Sequence, residues 1–148
     1  MSSYVTAELR RLVRARAQKL CEYCLIHEDD TYAGCHLDHI ISEKHGGLTV
    51  FENLAYACPF CNQSKGTDIG SILLHSKELT RFFNPRIDKW SDHFSLVDLR
   101  IVPTSAIGEV TERILDFNHH ERIAECEILF AIGSYPREAA RRIINGQS

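Results

Sequence analysis

Cys21-Glu22-Tyr23-Cys24 and Cys58-Pro59-Phe60-Cys61 are the two stretches on which the fold of this chain turns. Each is a CxxC pair, a tight turn whose backbone amides can point at the sulfurs and stabilise thiolates. Together the pairs supply four sulfurs for a closed tetrahedral zinc site, with Zn–S distances of about 2.3 Å. Thirty-three residues separate them, more than the common ribbon spacing, so a folded segment fits between. Closing so long a loop with a metal lowers the entropy of the unfolded chain and lets a small sheet-and-helix unit stand on little apolar core. A redox dithiol needs only one such pair, usually in a βαβ setting.

The enclosed segment carries Leu37-Asp38-His39-Ile40-Ile41, then Gly46-Gly47, then Glu52-Asn53-Leu54, and the second knuckle runs into Asn62-Gln63-Ser64-Lys65-Gly66. Cys35 to Ile41 is short and β-prone. With Leu48-Thr49-Val50 beyond a glycine-containing loop, it predicts a β-hairpin, the glycines supplying backbone angles that other residues resist. Glu52-Asn53-Leu54 then opens a helical stretch towards the second knuckle, and Asn62 to about Leu74 continues as helix. Taken singly, Asp38 is equally a surface acid, and Asn53 and Asn62 are equally helix caps. His36 shares the nominal strand face of Asp38, and His45 lies in the loop.

The string CEYC, LDHII, GG, ENL, CPFCNQSKG resembles the HNH endonuclease family over residues 21–66, under a third of the chain. The resemblance implies a ββα-metal fold, a hairpin and helix around a divalent cation. It makes Asp38 a ligand of the catalytic cation, His39 the general base, and Asn53 the brace of the loop that carries the base. It also makes Asn62 the second protein ligand of the cation and Lys65 a phosphate contact. Mg²⁺ or Mn²⁺ is the implied catalytic ion, beside the structural Zn²⁺ on Cys21, Cys24, Cys58 and Cys61. Strand alternation alone places Asp38 and His39 on opposite faces, so a local distortion must bring both to one site. The chemistry suits these residue types. A histidine of unperturbed pKa about 6.5 is mostly neutral at cellular pH yet can accept a proton, and a hard cation with few oxygen ligands keeps room for water and substrate.

Around this segment the charge is uneven. The 148 residues carry a formal net charge of −3, which offers no global attraction to a polyanion, so contacts to nucleic acid must be local. Tyr4 to Leu20 holds five basic residues against one acid, a local +4 that leaves −7 for the rest. Val5, Leu9, Leu12, Val13, Ala17 and Leu20 recur at helical spacing, so residues 6–20 should form an amphipathic helix. Arg10, Arg11 and Arg14 on its other side are either a solvated face or a phosphate-facing stripe. No apolar run approaches the ~20 residues of a membrane span, and Met1-Ser2-Ser3-Tyr4 lacks a secretory layout, so a cytoplasmic protein is the expectation. Six cysteines there point to metal rather than disulfides. Cys35 and Cys126 stand alone and read as small buried thiols, Cys35 lying close enough in sequence to compete as a ligand.

Beyond Gly66, Leu73-Leu74, Leu79 and Phe82-Phe83 read as helix packing and Asn84-Pro85 as a turn. Ser95 to Val102 alternates as a half-buried strand ending at Pro103, and Trp90 and Phe94 read as core. Val110 to Ala131 is helical in period with a break at Asn118-His119-His120, and Ser134 caps a last helix closed by Gly146. The tail is similar to extensions on bacterial HNH proteins and assigns no roles.

The expected architecture is one α+β domain: a basic helix over 1–20, a zinc-braced HNH core over 21–75 and a mostly helical extension over 76–148. The expected activity is hydrolysis of DNA, double-stranded above all, to 5′-phosphate and 3′-hydroxyl ends. Its rivals are a non-catalytic zinc module that binds nucleic acid or one that binds protein. Monomer and homodimer are both open.

Overall fold

Thr6 opens the first helix of the protein, its hydroxyl accepting the Leu9 amide at 3.1 Å. In this computed structural model, which describes residues 4–147, that helix, α1, spans Ala7–Arg16. It stops short of Leu20 because Gln18 and Lys19 adopt positive φ, 56° and 62°, and reverse the chain. Val13 is its fully buried residue. Among the described residues, no helix is long and apolar enough to cross a membrane.

The chain packs as two compact units, residues 1–69 and 70–148, where the sequence suggests one domain whose core runs to residue 75. In the first unit the α+β core follows the expected class with a different strand. Strand β1, His36–His39, pairs antiparallel with β2, Leu54–Ala57, in the register His36↔Ala57 to His39↔Leu54. Leu48–Val50, the expected partner, is loop, and the stretch from Glu52 to Cys58 expected as helix is a 3-10 turn followed by β2. The physical reason is burial. All four residues of β2 are buried, so the strand shows no in–out alternation, and an apolar run without alternation does not distinguish strand from helix.

Helix α2, Pro59–Lys65, follows directly, with Cys58 at its N-cap and Pro59 in its first turn. It ends at Gly66, whose backbone (φ 54°, ψ −130°) leaves helical space, so the helix expected to run to Leu74 is short. The hairpin, α2 and the connection over 40–53 form the ββα frame. Gly47 belongs to that connection for a steric reason: a Cβ there would sit 1.7 Å from the Ile41 carbonyl oxygen. Gly46 caps a 3-10 turn over Glu43–His45 at φ 89°.

Among its described residues the second unit contains two hairpins and three α-helices. Strands β3 (Gly70–Ile72) and β4 (Leu79–Arg81) pair where helix is expected. Strands β5 (Phe94–Val97) and β6 (Arg100–Pro103) divide the single expected strand at Asp98-Leu99, both at positive φ, the geometry of a two-residue turn. Helix α3 (Ala106–Leu115) packs on β3, β4 and β6. Its N-cap Ser105 accepts the Gly108 amide and touches His93 Nδ1 at 2.6 Å. Helix α4 (His120–Ala131) follows the expected break, and α5 (Glu138–Ile144) closes the chain. Arg137, not Ser134, holds the N-cap position of α5, because Pro136 disfavours helix at the residue before it. Phe94 centres the core of this unit, its ring 5.1 Å from Trp90, 5.5 Å from Phe83 and 5.6 Å from Phe117. Trp90 and Phe94 are 4% and 1% exposed, too enclosed to stack on bases.

Candidate functional site: a four-cysteine centre and an acidic cleft

The reversal after α1 places Cys21 and Cys24 against Cys58 and Cys61, and the four sulfurs lie within 4.8 Å of one another, all buried. Cys24 Sγ and Cys58 Sγ are 3.7 Å apart. A tetrahedron with bonds of about 2.3 Å has edges of about 3.8 Å, so the spacing fits a zinc ion. Each knuckle turns an amide onto its own sulfur, Cys24 N to Cys21 Sγ at 3.5 Å and Cys61 N to Cys58 Sγ at 3.4 Å. Burial pushes the Cys21 and Cys61 thiols well up. A cation is what makes four buried thiolates affordable in such a site. Cys35 is buried but its sulfur is not one of the four.

Beside this centre an open cleft of about 230 Å³ is lined by Leu37, Asp38, His39, Ser42, Glu43, Lys44, Asn62, Gly66 and Thr67. It brings Asp38 and His39 from the end of β1 together with Asn62 from α2. Asp38 is buried, 5% exposed. Tyr23 Oη donates to its Oδ2 at 2.8 Å, and Lys65 Nζ lies 3.2 Å from Oδ1 and 3.1 Å from Oδ2. Burial pushes the Asp38 carboxyl above its ordinary value, against the pull of Lys65 and Tyr23. His39 Nε2 lies 2.8 Å from Thr49 Oγ1 and 3.9 Å from Glu43 Oε1. No partner of its Nδ1, and none of the Asn62 side-chain amide, is present among the described residues.

Asn53 ties the connection down. Its Oδ1 accepts the Ile41 amide, and its Nδ2 donates to the carbonyls of Ile41 and Leu48, each at 2.9 Å. Ser42 Oγ donates to Thr67 O at 3.0 Å, fixing the loop to the chain just after α2.

The expected phosphate contact at Lys65 is corrected by its burial. The side chain is 1% exposed, and its ammonium is occupied by Asp38 and the carbonyls of His39 and Ile40. The exposed lysine lining the cleft is Lys44. The stripe on α1 is partly committed as well. Arg14 grips Glu28 through two hydrogen bonds of 2.8 and 2.7 Å, and Arg11 pairs with Glu8, while Arg10 is exposed. Arg16 donates to the carbonyls of Phe51 and Leu54 and lies 3.7 Å over the Phe51 ring, anchoring α1 to the entrance of β2. His36 and His45 are exposed and outside the cleft lining.

Tyr23, Glu43, Thr49 and Glu28 carry the site and its support without having been marked by sequence. Tyr23 occupies an unconstrained position inside the first knuckle. Thr49 and Glu28 act through partners 10 and 14 residues away, distances that no local pattern reports.

Residues 21–68, about a third of the chain, match the family model described as HNH endonuclease. The resemblance drawn from the sequence therefore holds over that segment, on an α+β frame with a four-cysteine cluster. Neither the curated proteins nor the solved structures contain a match to the chain.

Proposed function

We propose that the HNH segment makes this protein a metal-dependent endonuclease that hydrolyses DNA, with His39 as general base and with Asp38 and Asn62 as protein ligands of Mg²⁺ or Mn²⁺. The observation that supports this most is the convergence of Asp38, His39 and Asn62 on one open cleft. One carboxylate and one amide are hard oxygen donors with the rest of the shell left to water and substrate, the usual provision for a small divalent ion acting on phosphates. Such an ion, when bound, neutralises charge on the phosphoryl and departing oxygens.

The work of the protein's own groups follows from their contacts. Thr49 engages Nε2 of His39, so a neutral ring that donates from Nε2 keeps its lone pair on Nδ1. Nδ1 takes a proton from water as the water oxygen bonds to phosphorus, the P–O3′ bond breaks, and the 3′ oxygen leaves and is protonated by solvent. The products are 5′-phosphate and 3′-hydroxyl ends. Asn53 holds the backbone at Ile41 and Leu48, and so the loop that carries Thr49. Lys44 in the cleft, with Arg10 and Arg11 on α1, are the basic side chains available to backbone phosphates.

Supercoiled duplex plasmid incubated with the zinc-loaded protein and Mg²⁺ or Mn²⁺ tests the reading. The wild type should nick or linearise it, and His39→Ala should lose at least about 100-fold in rate while keeping its zinc and circular dichroism. Intact plasmid with both ions, or undiminished cutting by His39→Ala, would overturn it. Intact plasmid that is nonetheless bound would favour the non-catalytic zinc module.

A further inference from the structure

Lys65 is buried at the end of α2, and its ammonium meets three acceptors around the end of β1. It lies 3.2 and 3.1 Å from Oδ1 and Oδ2 of Asp38, 3.0 Å from the His39 carbonyl oxygen and 3.2 Å from that of Ile40. An ammonium has three hydrogens and no acceptor, so one serves the Asp38 carboxylate as a whole and one goes to each carbonyl. The two carbonyls are the informative pair. Successive carbonyls of a regular strand point to opposite sides of it, so a single group does not meet both while the pleat continues. Ile40 shows where the pleat ends. Its amide still donates to the Asn53 carbonyl at 2.8 Å, as an extension of the β1–β2 ladder requires. The return bond is redirected: the Asn53 amide donates to the Val50 carbonyl at 2.9 Å, and the Ile40 carbonyl turns to Lys65. The chain therefore bends directly after His39, where strand alternation alone would part His39 from Asp38.

We infer that Lys65 is a positioning residue of the cleft: bound at once to the side chain of Asp38 and to the backbone of His39 and Ile40, it holds the bend and fixes the carboxylate relative to the imidazole. The inference rests on the roles proposed above for Asp38 and His39. Buried carbonyls must find donors, and an apolar side chain at position 65 would supply none to these two. The bend would then lose the group that draws both carbonyls to one point. Lys65 ties in the third group of the cleft as well, because Asn62 lies three residues before it on α2 and shares its face of the helix. Enclosed against Asp38, the ammonium makes no contact with DNA. Its effect lies in the geometry of the reacting groups and not in affinity for the substrate.

The test compares the wild type with Lys65→Met, an apolar side chain of similar length, as zinc-loaded full chains on duplex plasmid with Mn²⁺. The cleavage rate at saturating DNA should fall by about 100-fold, the cost of a misplacement on the order of 1 Å. KM for DNA, the salt dependence of DNA binding and zinc content should stay as in the wild type. A phosphate contact behaves in the opposite way, raising KM and lowering the slope of log affinity against log salt by about 0.9. That result, or an undiminished rate in Lys65→Met, overturns the positioning role and leaves the nuclease standing. A wild type that does not cut the plasmid overturns the proposed activity, and the positioning role with it. Where Lys65→Met does not fold, the ¹⁵N–¹H signal of the Lys65 ammonium in the wild type decides. A signal protected from solvent exchange and unmoved by added DNA supports the role; one that exchanges freely, or that DNA shifts, overturns it.

Discussion

Replacing Asn53 by alanine removes three hydrogen bonds and nothing from the zinc centre. The lost contacts are the Ile41 amide to Oδ1 and Nδ2 to the carbonyls of Ile41 and Leu48, each 2.9 Å. A typical intramolecular hydrogen bond contributes about 0.5–1.5 kcal/mol net, so three together hold the connection over 40–53 by about 2–4 kcal/mol. That energy is local, because β1 and β2 keep their ladder and the four cysteines keep their geometry. Opening of the loop should thus become easier without unfolding the unit. At about 1.4 kcal/mol per decade, the Ile41 amide should exchange with deuterium roughly 30- to 1,000-fold faster. Thr49, carried by the same loop, should then hold His39 less firmly, and plasmid cleavage should fall by about 100-fold, the usual cost of a misplaced catalytic group. Hydrogen exchange read by mass spectrometry or NMR, zinc content and cleavage rate are the measurements. Wild-type exchange at Ile41 together with a wild-type cleavage rate would refute the bracing role.

Two further outcomes follow from the same contacts. Cys58→Ser should lose zinc and unfold the first unit. A serine can still cap α2 as the Cys58 sulfur does, so the loss would report the metal and not the helix start, and a folded variant with full zinc would contradict the four-sulfur site. Glu28→Gln should lower the melting temperature in a pH-dependent way. Hydrogen bonding from Arg14, with help from Tyr56 and against burial, pulls the Glu28 carboxyl from 4.5 to about 2. A depressed folded value gives stability that is present above the unfolded value and lost as pH falls from 4.5 towards 2. The melting gap between wild type and variant should be full at pH 6 and shrink across that window; a gap that stays constant to pH 2 would show that the charge is not what matters.

Much of the first unit is written in short-range pattern. Two CxxC turns announce a four-sulfur centre because ligand spacing is covalent, and LDHII, GG, ENL and CNQSKG mark the ββα segment by order alone. Apolar spacing likewise gives α1, the break before α4 and the aromatic core around Phe94. Strand identity was harder. Leu54–Ala57 is enclosed on both faces, and enclosure erases the alternation by which a strand is known.

The sequence by itself therefore determined which groups can do chemistry and which sulfurs can share an ion, since both depend on residue type and separation along the chain. Only the tertiary structure decided where those groups point. It put Asp38 and His39 in one cleft, turned Lys65 inward onto Asp38, and gave Arg14 to Glu28. The last two join residues 27 and 14 apart along the chain, brought close by packing. Packing answers to burial and hydrogen bonding over the whole unit, which no window of neighbouring residues contains.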